Sequence, residues 1–293
     1  MSESVGSAPP EASIHGPVGI VGLGLIGGSI GRDLKALPDP PEVLGSSTDL
    51  DDLVAAREAG AVDRGFPEPD SVVHESRTVI LAVPLGALLQ LLRDHRRALA
   101  GKHLVMDVAS LKAPVLRAAA NAEISERFVG AHPMAGGEGS GFAASRDGLF
   151  HEFRIWLAEE GATPEVREGA EAFWSALGGV PSWTHAEEHD RRMAWCSHLP
   201  QLVSNALAGA LDAAGYGPED LGPGGRDMIR LAGSSPEMWK DLFERSGPGV
   251  GLGLESVSRA LRVLADLLAR KEIDSVASFM ERTRDWRGEE PWS

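Results

Sequence analysis

With 293 residues, 43% of them hydrophobic, the chain is long enough for two domains of ordinary size, each with its own core. A formal net charge of -15 argues against duplex DNA or an anionic membrane as a partner, because clustered Lys and Arg usually meet such surfaces. No apolar run approaches the roughly 20 residues of a membrane span. The composition reads as a soluble globular protein in which any anionic substrate is held by a local cationic pocket. Cys196 is the single cysteine, so no intrachain disulfide is expected; the usage fits a reducing cytoplasm, with the thiol read as a small buried hydrophobe.

Residues 1–16 carry neither the basic stretch nor the apolar core of a signal peptide and are expected as a disordered tail. From 17 to 185, β-type runs at Val18 to Val21, Glu42 to Gly45, Thr78 to Val83, His103 to Asp107, Phe128 to Ala131, Arg154 to Leu157 and Val180 to Thr184 punctuate the chain. Between them, Ser29 to Leu37, Leu50 to Ala59, Leu85 to Leu99 and Leu111 to Ala122 have helical periodicity or composition. Strand, helix, strand in repetition predicts an α/β fold, a Rossmann-type doubly wound parallel sheet. From 186 to 293, apolar residues recur at helical spacing through Met193 to Ala214 and Val257 to Leu268, which predicts an all-α C-terminal domain. The turn-rich segment Gly215 to Gly225 interrupts those helices, and Ser235-Pro236 reads as a helix start with the serine as cap.

Gly22-Leu-Gly24-Leu25-Ile26-Gly27 follows the first strand and opens a helix, the context that makes G-x-G-x-x-G a dinucleotide fingerprint. The first glycine serves the tight turn, the second lets a pyrophosphate approach the backbone, and the third permits close packing. The residues assigned to the cofactor are Gly22, Gly24, Leu25, Ile26 and Gly27, with Ser47, Val83, Pro84 and Ser110. Past the second strand stand Ser46-Ser47-Thr48 rather than the acid that usually grips the ribose of NAD, so NAD is expected with NADP admissible. Asp107-Val-Ala-Ser110-Leu-Lys112 ends a later strand on the ligand side of the sheet, where Ser110 is placed to orient an imidazole and Lys112 reads equally well as a solvated surface charge. His132 follows the next strand inside Gly130-Ala-His-Pro-Met-Ala-Gly-Gly137, and histidine is the side chain that exchanges protons near neutral pH. Further on, Ser197-His198-Leu-Pro200 sits in an apolar helix, where an interior proline costs roughly 3 kcal/mol, and Arg230 could hold a carboxylate bidentately. Trp239 reads as a pocket wall or a core anchor. No cluster of His, Cys and carboxylates has metal-ligand spacing, so no metal is expected.

In this order, G-L-G-L-I-G-G-S, D-V-A-S-L-K, G-A-H-P-M-A-G-x-E-x-S-G-F, H-D-x-x-x-A-W-x-S-H-L-P and R-L-A-x-S-x-P-E-M-W resemble the prephenate and arogenate dehydrogenases of tyrosine biosynthesis. The resemblance implies oxidative decarboxylation of prephenate or arogenate with hydride transfer from C4 to NAD(P)+. His132 resembles the catalytic histidine that meets the C4 hydroxyl, Ser110 the serine that supports it, Arg230 the arginine that takes a substrate carboxylate, His198 a pocket histidine and Trp239 a residue near the active site. It also implies a small dicarboxylate substrate and a homodimer built through the helical domain. Gly137 and Gly139 depart from the family pattern and reshape the substrate end, which admits 4-amino-4-deoxyprephenate of an antibiotic pathway as an alternative substrate. A dinucleotide-sensing protein without turnover is the non-enzymatic alternative. An imine reductase or β-hydroxyacid dehydrogenase would place a lysine early in the second domain, yet none stands between Lys112 and Lys240.

Overall fold

The computed structural model describes Ile14, residues 16–137 and residues 139–287, so the tail expected over 1–16 lies outside the described residues except at Ile14 and Gly16. In chain order the elements begin with β1 (Val18–Val21), α1 (Leu25–Lys35), β2 (Val43–Ser46), α2 (Leu50–Glu58), β3 (Arg64–Phe66), α3 (Pro69–Glu75), β4 (Thr78–Leu81) and α4 (Leu85–Asp94). They continue through the short α5 (Arg96–Leu99), β5 (Leu104–Asp107), α6 (Ala113–Asn121), β6 (Phe128–Pro133), β7 (Arg154–Ala158), α7 (Pro164–Ala176), β8 (Val180–Trp183) and α8 (Ala186–Met193). After a π-helical turn at Ala194–His198 come α9 (Leu199–Ala213), α10 (Pro223–Ile229), α11 (Pro236–Arg245), α12 (Gly249–Ala269) and α13 (Ile273–Arg287). The chain divides into two compact units, Met1–Met193 with Ser234–Ser246, and Ala194–Gly233 with Gly247–Ser293.

Among the described residues of the first unit, eight strands form one sheet in the order β3-β2-β1-β4-β5-β6-β7-β8. β1 to β6 run parallel as expected, whereas β7 pairs antiparallel with β6 and parallel with β8. The reversal has a local cause. The described residues of the connection from Pro133 to Arg154 hold no α-helix, and a parallel neighbour normally needs a helical crossover. Alternation along each strand feeds two cores. Ile20, Ile80, Met106 and Val129 pack with α1 and α7 residues such as Ile30, Leu34 and Phe173; Val21, Val79, Leu81 and Val105 pack with α3, α4 and α6 through Val72, Leu88 and Leu116. Strands covered on both faces read as continuous apolar runs, which is why Val18–Val21 and Thr78–Leu81 are visible in the sequence. The three-residue β3, with no buried residue, carries too short a pattern to be seen.

Among its described residues the second unit is helical. Pro200 occupies the second position of α9, where the missing N–H is tolerated, and the π-turn just before it absorbs the change of register. The penalty expected for a proline in mid-helix is thereby avoided. Cys196, expected inside, is exposed because that turn carries it outward. Ser235 does precede α11, but its hydroxyl meets the Glu237 carboxylate at 3.2 Å and makes no side-chain cap.

Candidate active site

The strand order reverses between β1 and β4, and in such sheets ligands bind outside the carboxyl ends of the strands at that point. Gly22 turns there with φ +98°, and a Cβ on it would lie 2.3 Å from the Ala82 carbonyl oxygen and 2.9 Å from Val83. A Cβ on Gly27 would lie 1.9 Å from the Gly22 carbonyl oxygen, whereas one on Gly24 would meet nothing within 4 Å. Two glycines are thus required by the protein's own packing, and the third keeps space open in front of the α1 N-terminus. Gly24 caps that helix without a side chain, leaving its first N–H groups to an outside acceptor such as a pyrophosphate. Leu25 and Ile26 are half-buried in its first turn, and Val83 and Pro84 close the far side, after β4. Ser47 follows β2 and accepts the Asp49 N–H at 3.2 Å; Asp49 in turn accepts the N–H groups of Asp51 and Asp52 at 2.9 and 3.3 Å, so it serves as the α2 cap. Gly137 lies beside this turn, since a Cβ there would be 3.8 Å from Leu25 Cδ2. Beyond Gly141, Asp52 accepts the Phe142 N–H at 2.7 Å and Arg32 stands 4.7 Å over the Phe142 ring, which tethers the loop to α1 and α2.

His132 ends β6 half-buried, and its Nδ1 lies 2.9 Å from Nε2 of His189 on α8. His189, 1% exposed, places its own Nδ1 2.8 Å from Asp190 Oδ1. A carboxylate only accepts, so His189 carries a proton on Nδ1, and as a neutral imidazole it presents Nε2 as an acceptor. His132 must then donate from Nδ1, which assigns its lone pair to Nε2, the nitrogen able to take up a proton. Asp190 is fixed by the backbone N–H groups of Lys112 and Ala113, at 2.7 and 2.9 Å.

Beneath this relay lies an ion pair. Lys112 and Asp107 are both fully buried, and the ammonium reaches Asp107 Oδ2 at 2.5 Å and the Ala131 carbonyl oxygen at 2.6 Å. The surface charge entertained for Lys112 is therefore wrong: its side chain bridges β5 to the residue just before His132. Burial pushes the Asp107 carboxyl above the usual carboxylate range against the pull of Lys112, and burial also lowers the Lys112 ammonium against the pull of Asp107. Ser110 lies half-buried between β5 and α6, and the His189 ring contacts the His132 imidazole from α8. His189 and Asp190 stood in the sequence as the H-D of the fourth motif without a role; an imidazole and a carboxylate adjacent on one helix were the available signal.

Trp239 belongs to the first unit, where it stacks on Phe243 at 5.3 Å. Its helix α11 is tied to the start of α4, after Val83 and Pro84, by Asp241 accepting the Gly86 N–H at 2.8 Å. His198 and Arg230 belong to the second unit. His198 is buried at the end of the π-turn, and exposed Arg230 opens a 3-10 turn, Arg230–Gly233. Gln201 pins that turn to α9 by donating to the Leu231 carbonyl oxygen at 2.6 Å and to Asn205 Oδ1 at 2.8 Å.

Residues 30–181 match the family model for the nucleotide-binding domain of prephenate dehydrogenase, and residues 185–282 match that for its dimerization domain. The chain belongs to the prephenate dehydrogenase family. A cyclohexadienyl dehydrogenase of Zymomonas mobilis is 28% identical over 92% of this chain and 94% of its own length. The crystal structure of prephenate dehydrogenase from A. aeolicus, in complex with hydroxyphenyl propionate and NAD+, superimposes with a TM-score of 0.85 at 27% identity, covering 94% of this chain and 98% of that one. The arogenate dehydrogenase of Synechocystis gives a TM-score of 0.77 at 26% identity, covering 92% and 98%. This prephenate dehydrogenase family member is therefore an oxidoreductase with a nicotinamide dinucleotide domain of Rossmann type. Among the described residues no helix is long and apolar enough to cross a membrane, and no group of three or more His, Cys, Asp or Glu could hold a metal ion.

Proposed function

We propose that the chain oxidatively decarboxylates prephenate or arogenate, giving 4-hydroxyphenylpyruvate or tyrosine, with His132 as the base. The observation that carries this role is the Asp190–His189–His132 relay, which leaves the lone pair on His132 Nε2. Gly22, Gly24, Leu25, Ile26, Gly27, Ser47, Val83, Pro84 and Ser110 hold NAD, which when bound takes up the hydride from the ring C4. His132 accepts the proton of the C4 hydroxyl, the ring carboxylate leaves as carbon dioxide as the ring becomes aromatic, and the proton held on His132 returns to the phenolate oxygen that results. Aromatisation drives the reaction, so the protein supplies alignment, one base and charge matching; alignment alone can lower a barrier by roughly 7–11 kcal/mol. Ser110 supports His132, Arg230 takes a substrate carboxylate, and His198, Trp239 and Gly137 line the substrate.

We assign a homodimer formed through the helical unit. Its support is the dimerization-domain match and a run of exposed apolar side chains on α12 and α13, Leu261, Val263, Leu268, Ile273 and Met280 among them. The exposed free thiol of Cys196 suits the reducing cytoplasm, where we place the enzyme. Purified protein assayed with prephenate, arogenate and 4-amino-4-deoxyprephenate, each with NAD and NADP, should form reduced nicotinamide with prephenate or arogenate and NAD. Turnover confined to the amino analogue would move the substrate to the antibiotic branch, and no turnover in all six mixtures would end the enzymatic reading.

A further inference from the structure

Behind His189 stands a side chain that neither the relay nor the substrate explains. Trp156 on β7 lies directly opposite His132 in the antiparallel β6–β7 register, so the two side chains share a face of the sheet. Its indole, 7% exposed, meets the His189 ring edge-on, with centroids 6.4 Å apart and planes at 75°. The His132 ring meets the same His189 at 5.1 Å, also at 75°, so His189 is in edge contact with both rings while Asp190 holds its Nδ1. Two guanidinium groups stand over the indole: Arg154, two residues back on the same strand, at 4.9 Å, and Arg192, one helical turn beyond His189 on α8, at 4.7 Å. Arg192 is itself held by Glu188 at 3.0 Å.

The arrangement has a directional consequence. Hydrogen bonds at the two nitrogens of His189 fix its position along the relay but leave the ring able to tilt about the line joining them. A T-shaped contact with a rigid indole removes that tilt, and cations over an electron-rich indole hold the indole in turn. Because β7 and α8 each contribute one arginine, the indole is braced from both elements that flank the relay. An isobutyl group could fill much of the volume, but only an aromatic edge, indole or phenyl, keeps the perpendicular contact.

We infer that Trp156, braced by Arg154 and Arg192, is a positioning residue for the proposed base: it locks the plane of His189 and, through it, the direction of the His132 Nε2 lone pair. This inference rests on the function proposed above. The test compares Trp156→Leu, Trp156→Phe and the surface double variant R154Q/R192Q with the parent, reading kcat, KM, NAD affinity and the ring 15N signals of His132 and His189. Trp156→Leu should lower kcat about ten-fold with KM and NAD affinity near the parent values, since small misalignments at a reacting centre cost rate before binding. Trp156→Phe should recover most of that loss, and R154Q/R192Q, which leaves the buried packing intact, should lower kcat about two- to five-fold. The 15N signals of both histidines should shift or broaden in Trp156→Leu whether or not the parent turns over any substrate tried. An inactive parent with shifted signals would count against the proposed reaction and for the positioning role. Unchanged signals, an unchanged kcat in Trp156→Leu, or a loss of kcat together with NAD affinity would each overturn the role assigned to Trp156.

Discussion

The two ends of the first unit's crevice are built from different materials. At β1 and α1 the site is backbone: Gly22 and Gly27 are glycine because a Cβ would strike a carbonyl oxygen, and Gly24 because the space before it must stay open. At the end of β6 the site is side chain: His132, His189, Asp190, Lys112 and Asp107 come from three strands or helices and from the segment that follows β5, and they are joined by hydrogen bonds. A backbone site depends on local sequence and tolerates no substituent. A relay depends on distant residues and fails when any link changes proton count. The first kind recognises phosphate through fixed N–H groups; the second decides which nitrogen carries a lone pair.

Three substitutions press on that contrast. His132→Ala removes the last link of the relay and should lower kcat by about 10²–10⁴ while leaving NAD affinity intact; steady-state kinetics beside a binding titration would show it, and near-normal turnover would refute the assigned base. At the backbone end, Gly24→Ala and Gly27→Ala should separate. Both should weaken NAD binding by about ten-fold or more, about 1.4 kcal/mol. Only Gly27→Ala should also destabilise the fold, by about 1–3 kcal/mol, because its methyl group meets backbone. Equal thermal shifts for the pair would contradict the division between packing glycine and phosphate glycine.

The smallest effect belongs to a pair remote from both ends. Asp63 accepts the Val43 N–H at 2.7 Å and the Lys35 ammonium at 2.9 Å at the start of β2, away from the crevice. Burial pushes the Asp63 carboxyl up, but these two partners more than reverse it and hold it below its ordinary 3.8. A carboxyl lowered on folding adds stability above its unfolded pKa, and that stability is lost as pH falls through the folded value. Asp63→Asn should therefore cost about 0.2–1 kcal/mol at neutral pH, reduced by its exposure, and make denaturant midpoints less dependent on pH below about 4. Activity should not change; a fall in kcat would mean that this pair reaches the site.

What could be read from the chain follows the same division. The fingerprint, the buried strands and the helical second half were legible because each is written in consecutive residues. His132 was legible from its glycine-rich surroundings. Its partner was not: His189 lies 57 positions away, and nothing local indicates that α8 turns it toward β6. Lys112 looked like any lysine near a loop, since burial of its ammonium depends on Asp107 five residues earlier ending a strand with its side chain inward. The reversal of β7 was hidden for another reason, because an apolar run carries no mark of its direction. Family resemblance supplied roles for Arg230 and His198 that local chemistry alone would have left open between a ligand contact and an internal pair.

The central claim is that Asp190, through His189, sets the proton position on His132, and Asp190→Asn tests it most directly. An amide keeps one acceptor oxygen: with that oxygen on the Ala113 N–H, its NH2 faces His189 Nδ1 and no longer obliges that nitrogen to carry the proton, at the cost of the Lys112 N–H bond, while the NAD end of the crevice should keep its affinity. Single-turnover rates with NAD and the better of the two ring substrates should fall about 10²-fold with unchanged NAD affinity. A rate within about two-fold of the parent would contradict the relay, since a base off by even one tautomer should lose most of its proton-transfer advantage.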